Sequence, residues 1–166
     1  YTATESGKPF AIRYPKDVTS NFNINKKPDL IKLGSWDYII KNNDADIAIL
    51  AVGSMVDMFI EGKEEIEKNI NHKIDLVNCR FIKPLDEEVL KYILNNISVI
   101  ITIEEGSLIG GFGSAVANYF RNNSIKIISM GIPDRYIEHG SREELLDDVG
   151  LNTKGIIKAI KKIKND

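Results

Sequence analysis

The sequence predicts an α/β fold of three layers, helices packed on both faces of a largely parallel sheet. Two features carry that reading. From residue 46 on, strand-like and helix-like segments alternate, as in βαβ units. The strand-like runs Asp46 to Val52 and Val99 to Ile103 are also almost continuously apolar and rich in β-branched residues, as strands buried on both faces are.

Taken in order, Lys8 to Tyr14 reads as a short strand stopped by Pro15, which has no N–H to give a ladder. Asp17 to Asp29 is polar, with three asparagines, two lysines and a proline, the composition of a linker. Trp36 to Ile40 is the next strand. Asn42-Asn43-Asp44 turns the chain, and so short a connection allows this strand to lie antiparallel beside Asp46 to Val52. After Gly53-Ser54 a helix presents Met55, Phe59, Ile66 and Ile70 on one face. Lys73 to Asn78 is a strand. Asp86 is the expected N-cap of a helix with Glu87 and Glu88 in its positive first turn and Val89, Leu90, Ile93 and Leu94 on its apolar face. Past the central strand, Gly110, Gly111 and Gly113 lead into a helix carrying Val116 and Phe120. Ile125 to Met130 forms another strand, and residues 131–140 a loop. Ser141-Arg-Glu-Glu144 is a capping box, Gly150 ends its helix, and Thr153 is the expected cap of the last one. There Ile156, Ile160 and Ile163 face inward while five lysines face solvent.

A chain of 166 residues with 43% hydrophobic and 28% charged residues is one domain with an appendage, large enough to need neither disulfides nor a metal. A net charge of −2 argues against a nucleic-acid surface, and no apolar run is long enough to cross a bilayer. No secretory leader pattern is read, and the single Cys79 reads as a small core residue, which together make the cytoplasm the expected location. His72 and His139 are too far apart in sequence to suggest a metal site, and none is expected. The chain opens at Tyr1, in what reads as the middle of a segment, so a piece of a longer protein is expected.

Working groups in such sheets gather at the carboxyl ends of the strands. Here those are Ser54, Arg80, Glu104, Glu105 and the loop holding Asp134, Arg135 and His139. Glycines 110, 111 and 113 follow a strand, but their spacing departs from a dinucleotide fingerprint, and the acidic pair precedes them instead of following. The favoured reading is that they let the helix start close against the sheet. Glu104 and Glu105 are adjacent on a strand and so face opposite sides, which disfavours a proton-sharing pair; one is expected to cap or pair across the glycine loop.

Four stretches carry a resemblance: Ala-Ile-Arg-Tyr-Pro-Lys (11–16), Arg-Phe-Ile-Lys-Pro-Leu-Asp (80–86), Glu-Glu-Gly-Ser-Leu-Ile-Gly-Gly-Phe-Gly-Ser-Ala-Val (104–116) and Gly-Ile-Pro-Asp-Arg-Tyr-Ile-Glu-His-Gly-Ser (131–141). Together they resemble the carboxyl-terminal third of the 1-deoxy-D-xylulose-5-phosphate synthases, a transketolase-like family. The second and third are also similar to the β subunits of 2-oxoacid dehydrogenases. The resemblance implies a five-stranded mixed sheet with its first strand antiparallel. It implies that residues 1–20 end a pyrimidine-binding domain, 21–35 link, and 36–166 form a transketolase C-terminal-like domain. It implies a parent enzyme, a homodimer using thiamine diphosphate and Mg²⁺. That enzyme joins decarboxylated pyruvate to D-glyceraldehyde 3-phosphate, in isoprenoid, thiamine and pyridoxal biosynthesis. The catalytic residues would lie upstream, leaving none in this chain and an inactive, structural fragment that packs on the upstream domains.

What the resemblance leaves here is a substrate-phosphate contact at Lys16, where the family usually has arginine, with Arg13 as its neighbour. Lysine meets phosphate as a point charge where arginine grips it bidentately, and Asp17 stands where glycine is usual. Glu104, Glu105, Gly110, Gly111, Asp134, Arg135 and His139 are candidates for a domain-contact or loop site. Two other readings stay open: a free-standing module binding an anion at the glycine loop, and the carboxyl-terminal domain of a 2-oxoacid dehydrogenase β subunit.

Overall fold

The computed structural model describes residues 1–15, 25 and 27–163, the last by its backbone alone. Lys16, Asp17, most of residues 21–26 and the side chain of Ile163 therefore lie outside the described residues. The sheet consists of β1 (Asp37–Ile40), β2 (Ile47–Ala51), β3 (Ile74–Asn78), β4 (Val99–Ser107) and β5 (Lys126–Ile132), in the order β1-β3-β2-β4-β5. β1 runs antiparallel to β3, and every other pairing is parallel. The helices are α1 (Thr2–Glu5), α2 (Met55–Asn69), α3 (Glu87–Asn96), α4 (Phe112–Tyr119), α5 (Arg142–Asp148) and α6 (Thr153–Ile163).

Strand alternation divides the core into two. Ile47, Ile49, Ala51, Leu76, Ile101 and Ile103 face α2 and α6, where they meet Phe59, Ile66, Ile156 and Ile160. Ala48, Leu50, Val77 and Ile100 point the other way, onto Leu90 and Ile93 of α3 and Phe112 and Val116 of α4. The sheet is thus covered on both faces, as its unbroken apolar strands require. Cys79 belongs to the second core at 1% exposure, and burial raises its thiol pKa well above the ordinary value.

Four details correct the sequence expectations. β1 is antiparallel, but its partner is β3 and not β2. The turn after it is tied to β3: Asn42 N–H donates to Asp75 Oδ1 at 2.7 Å and Asn42 Nδ2 to Ile74 O at 2.7 Å. The chain therefore crosses the end of β3 to reach β2 instead of folding into a hairpin. Residues 8–14 form no strand and are exposed. Their aromatic and β-branched content supplies propensity, but a strand also needs a ladder partner. Phe10 instead packs edge-on against Phe81 at 6.3 Å. β4 runs through Glu104 and Glu105 to Ser107, with a register shift against β5 after Ile103. Finally, α6 is capped by Asn152, whose Oδ1 accepts from Gly155 N–H at 2.7 Å, while Thr153 is already helical.

Candidate functional site at the carboxyl ends of the strands

Because neighbouring residues of β4 face opposite sides, its two glutamates serve opposite layers. Glu104 continues the row of Ile100 and Thr102, toward α4. It is 5% exposed, and its Oε1 accepts the Gly113 N–H at 2.8 Å. A strand carboxylate thus supplies the cap that Gly111, the N-cap residue of α4, has no side chain to give. The surrounding glycines make room for it. A Cβ on Gly111 would lie 2.6 Å from Glu104 Oε1 and 2.0 Å from Ser107 O, and one on Gly106 would lie 2.4 Å from Glu104 Oε2. Gly113 has a different duty. Its Cβ would meet Thr102 Oγ1 at 2.6 Å and Ser129 Oγ at 2.8 Å, so its bareness sets how closely α4 lies on β4 and β5. Gly110 has open space around it but a φ of +74°, which a turn residue with a side chain rarely adopts. The Ser114 hydroxyl closes this turn, accepting from Gly110 N–H at 3.0 Å and donating to Leu108 O at 2.8 Å.

Glu105 points to the α2 side. Its Oε1 accepts from the Ser54 hydroxyl at 2.6 Å and is ion-paired with Arg142 Nη2. Arg142 also donates to Ser54 Oγ at 2.9 Å, and Arg13 Nη2 donates to the Glu105 main-chain oxygen at 3.3 Å. Topology gives this cluster its place. From β2 the chain steps to β3 on one side and returns to β4 on the other, so the carboxyl ends of β2 and β4 flank the switch point where folds of this kind open a ligand crevice. Here Ser54, just after β2, and Glu105, near the end of β4, are bonded across it.

The other residues singled out from the sequence do not join this cluster. Arg80 pins the entry to β1, through Ser35 Oγ at 3.3 Å and Trp36 O at 3.4 Å. Arg135 is paired with Asp148 Oδ2 at the far end of α5, at 2.5 Å. Asp134 and His139 are exposed in the loop after β5. Arg142 was not singled out, although it lies inside the capping box; nothing local marks it, since its partner is 37 positions away. Asp86 does cap α3, with Oδ1 3.1 Å from the N–H groups of Glu88 and Val89, and its Oδ2 also takes Trp36 N–H at 2.7 Å. At the opposite end of the sheet His72 Nδ1 contacts Asp46 Oδ2, a pair that sequence reasoning missed. Asp75 is fully buried, and burial raises its pKa, with the Asn42 N–H and Lys41 opposing.

The described residues do not fit thiamine diphosphate or Mg²⁺. The glycine-loop helix terminus that would cradle a phosphate is already filled by the Glu104 carboxylate. A second anion there would meet a like charge at close range. Among the described residues no group of three histidine, cysteine or acidic side chains is placed to hold a metal ion.

Comparison with known proteins places this geometry. The family model described as the C-terminal domain of transketolase matches residues 37–156. The 1-deoxy-D-xylulose-5-phosphate synthase of Aquifex aeolicus (strain VF5) is 38% identical over 97% of this chain, which covers 25% of that enzyme. The enzyme of the same name from Geobacillus sp. (strain WCH70) is 40% identical over 98% of the chain and 26% of its own length. The chain thus spans about a quarter of the length of these curated relatives. Among solved structures, a split-gene transketolase in an inactive β4 tetramer superposes with a TM-score of 0.71 at 26% identity, over 81% of this chain and 43% of that one. A transketolase from Campylobacter jejuni, at 18% identity over 82% of this chain and 20% of its own, shares the fold with a TM-score of 0.56. The family match runs from the start of β1 into α6 and so takes in all five strands and the Ser54–Glu105–Arg142 cluster: the chain belongs to the transketolase C-terminal domain family.

Proposed function

We propose that the chain is the carboxyl-terminal part of a 1-deoxy-D-xylulose-5-phosphate synthase, with a structural and assembly role in that enzyme. The observation that carries this reading is identity of 38–40% over 97–98% of the chain, which takes in the segment before the sheet as well as the sheet. The parent enzyme decarboxylates pyruvate and joins the two-carbon unit to D-glyceraldehyde 3-phosphate. The product serves isoprenoid, thiamine and pyridoxal synthesis. Thiamine diphosphate and Mg²⁺ would supply the carbanion stabilisation that this chemistry needs, and in this reading both would be held upstream in a cytoplasmic homodimer.

In this reading residues 1–20 close the pyrimidine-binding domain, 21–35 link, and 36–166 form the carboxyl-terminal domain. Lys16 contacts the substrate phosphate. The loop of Asp134 and His139 and the exposed side chains Ile109 and Tyr136 face the upstream domains. Ile109 is 69% and Tyr136 87% exposed, at the same end of the sheet as Glu105. Two features support a structural role for the domain: the switch-point ends are bonded to each other, and the α4 terminus is filled by Glu104. The second also speaks against a free-standing anion-binding module.

An antibody to this chain, applied to a lysate of the source cells, should mark a band several times larger than a 166-residue chain. A band of that small size alone would overturn the reading. The purified chain should also give no product from pyruvate, glyceraldehyde 3-phosphate, thiamine diphosphate and Mg²⁺; turnover would reject the structural role.

A further inference from the structure

We infer that Arg13, Glu105, Ser54 and Arg142 form a clasp that holds the segment of residues 9–15 against the carboxyl end of the sheet, and that Arg13 is a positioning residue within it. Four stretches far apart in sequence meet at Glu105, which joins residue 13 to residue 105, 54 to 105 and 142 to 105. Ser54 shows that the arrangement is selected over a local alternative. It occupies the N-cap position of α2, where serine ordinarily bonds the first turn of its own helix, yet it makes no capping bond. Its hydroxyl goes to Glu105 and accepts from Arg142. Arg142 likewise leaves the capping box of α5 to Ser141 and Glu144 and reaches back across the sheet end. Among the described residues little else holds the segment. Residues 8–15 are exposed and outside any helix or strand, Ile12 is 66% and Tyr14 82% exposed, and Phe10 meets Phe81 edge-on. A charge-assisted bond from Arg13 to the Glu105 carbonyl is then a large share of what fixes its path.

The consequence for substrate rests on the proposed function. Lys16, the phosphate contact in that reading, lies three positions after Arg13 in the same stretch. Arg13 Nη2 is bonded to the Glu105 carbonyl, and its part in this proposal is to place the stretch that carries Lys16.

The test has two readouts. In ¹⁵N relaxation on the 166-residue chain, Arg13→Gln should lower the order parameters of the amides of residues 10–14 from about 0.85, that of rigid backbone, to below about 0.6. Arg13→Lys, which keeps a donor, should recover part of the order, and the order parameters of β2 and β4 should stay unchanged. Equal order parameters in wild type and Arg13→Gln would overturn the clasp whatever the enzyme does. In the full-length enzyme, Arg13→Gln should raise KM for D-glyceraldehyde 3-phosphate by about tenfold, with KM for pyruvate and kcat within about twofold. Unphosphorylated D-glyceraldehyde should show no such rise. An equal rise for both aldehydes, or none, would overturn the positioning role. A wild-type enzyme that makes no product from these substrates would reject the proposed function and with it the substrate consequence, while the order parameters still decide the clasp.

Discussion

Glycines 110 and 111 are adjacent and look interchangeable in the sequence, yet their environments call for different things. Gly110 needs only its positive φ, so alanine there should cost about 1 kcal/mol in conformational strain. At Gly111 the added carbon would sit 2.0 Å from a main-chain oxygen and 2.6 Å from the capping oxygen of Glu104. Gly111→Ala should therefore cost about 3 kcal/mol or more, by displacing both the loop and the α4 cap. Urea unfolding of the two variants checks the order, and equal losses would refute the cradle. Asp75 gives a prediction in pH. Burial raises its pKa, so the native protein keeps this proton longer than the unfolded chain does. Its contribution to stability is therefore lost as pH rises from the ordinary carboxylate value, about 4, toward the raised one. Asp75→Asn keeps an acceptor for the Asn42 N–H and removes the titration. The difference in unfolding free energy between variant and wild type should grow in the variant's favour across that window and then level off. A flat difference would show that Asp75 titrates as if exposed.

Among the elements, the helix pair α2 and α6 shows packing outweighing propensity. Gly62 lies inside α2, where replacement by alanine in an isolated helix gains about 1 kcal/mol. Here its added carbon would lie 2.2 Å from Thr153 Oγ1 and 2.9 Å from Thr153 Cγ2, at the point where α6 begins. Rotation of the threonine moves its hydroxyl and methyl but leaves its Cβ 3.1 Å from the added carbon. Gly62→Ala should therefore destabilise the chain by about 1–3 kcal/mol, read from the denaturation midpoint. Gly62→Ala with Thr153→Ser, which removes the methyl, should recover much of the loss. Stabilisation by Gly62→Ala alone would mean that α6 moves freely on α2. The β4–loop–α4 unit follows the same logic, because its helix is capped from the strand and not from its own N-cap residue.

Across the whole molecule, the carboxyl end of the sheet is bonded to itself at the place where related sheets open. The edges of that end carry exposed apolar side chains, among them Ile12, Tyr14, Ile109 and Tyr136. This suits a domain that completes a larger enzyme, and the band size in a lysate and the activity of the isolated chain test that idea at the scale of the full protein. The clasp belongs to the same scale, since it ties the segment before the sheet to β4 and α5.

The sequence by itself determined the class of fold. The almost continuously apolar runs at 46–52 and 99–103, rich in β-branched residues, call for strands covered on both faces, and the alternation of segments leads to parallel pairing between helical layers. It also showed that Glu104 and Glu105 must part company, because a strand has a period of two. The capping box at Ser141 and the cap at Asp86 were legible because their donors and acceptors lie within three residues. Only the tertiary structure decided which partner each glutamate takes, why β1 joins β3, and that Ser54 leaves its helix for Glu105. Apart from Glu104 and Gly113, nine positions apart, those choices join positions 36 to 92 residues apart, from Ile40 and Leu76 to Arg13 and Glu105. No local pattern encodes such a pairing, since it follows from which strand ends the topology brings together.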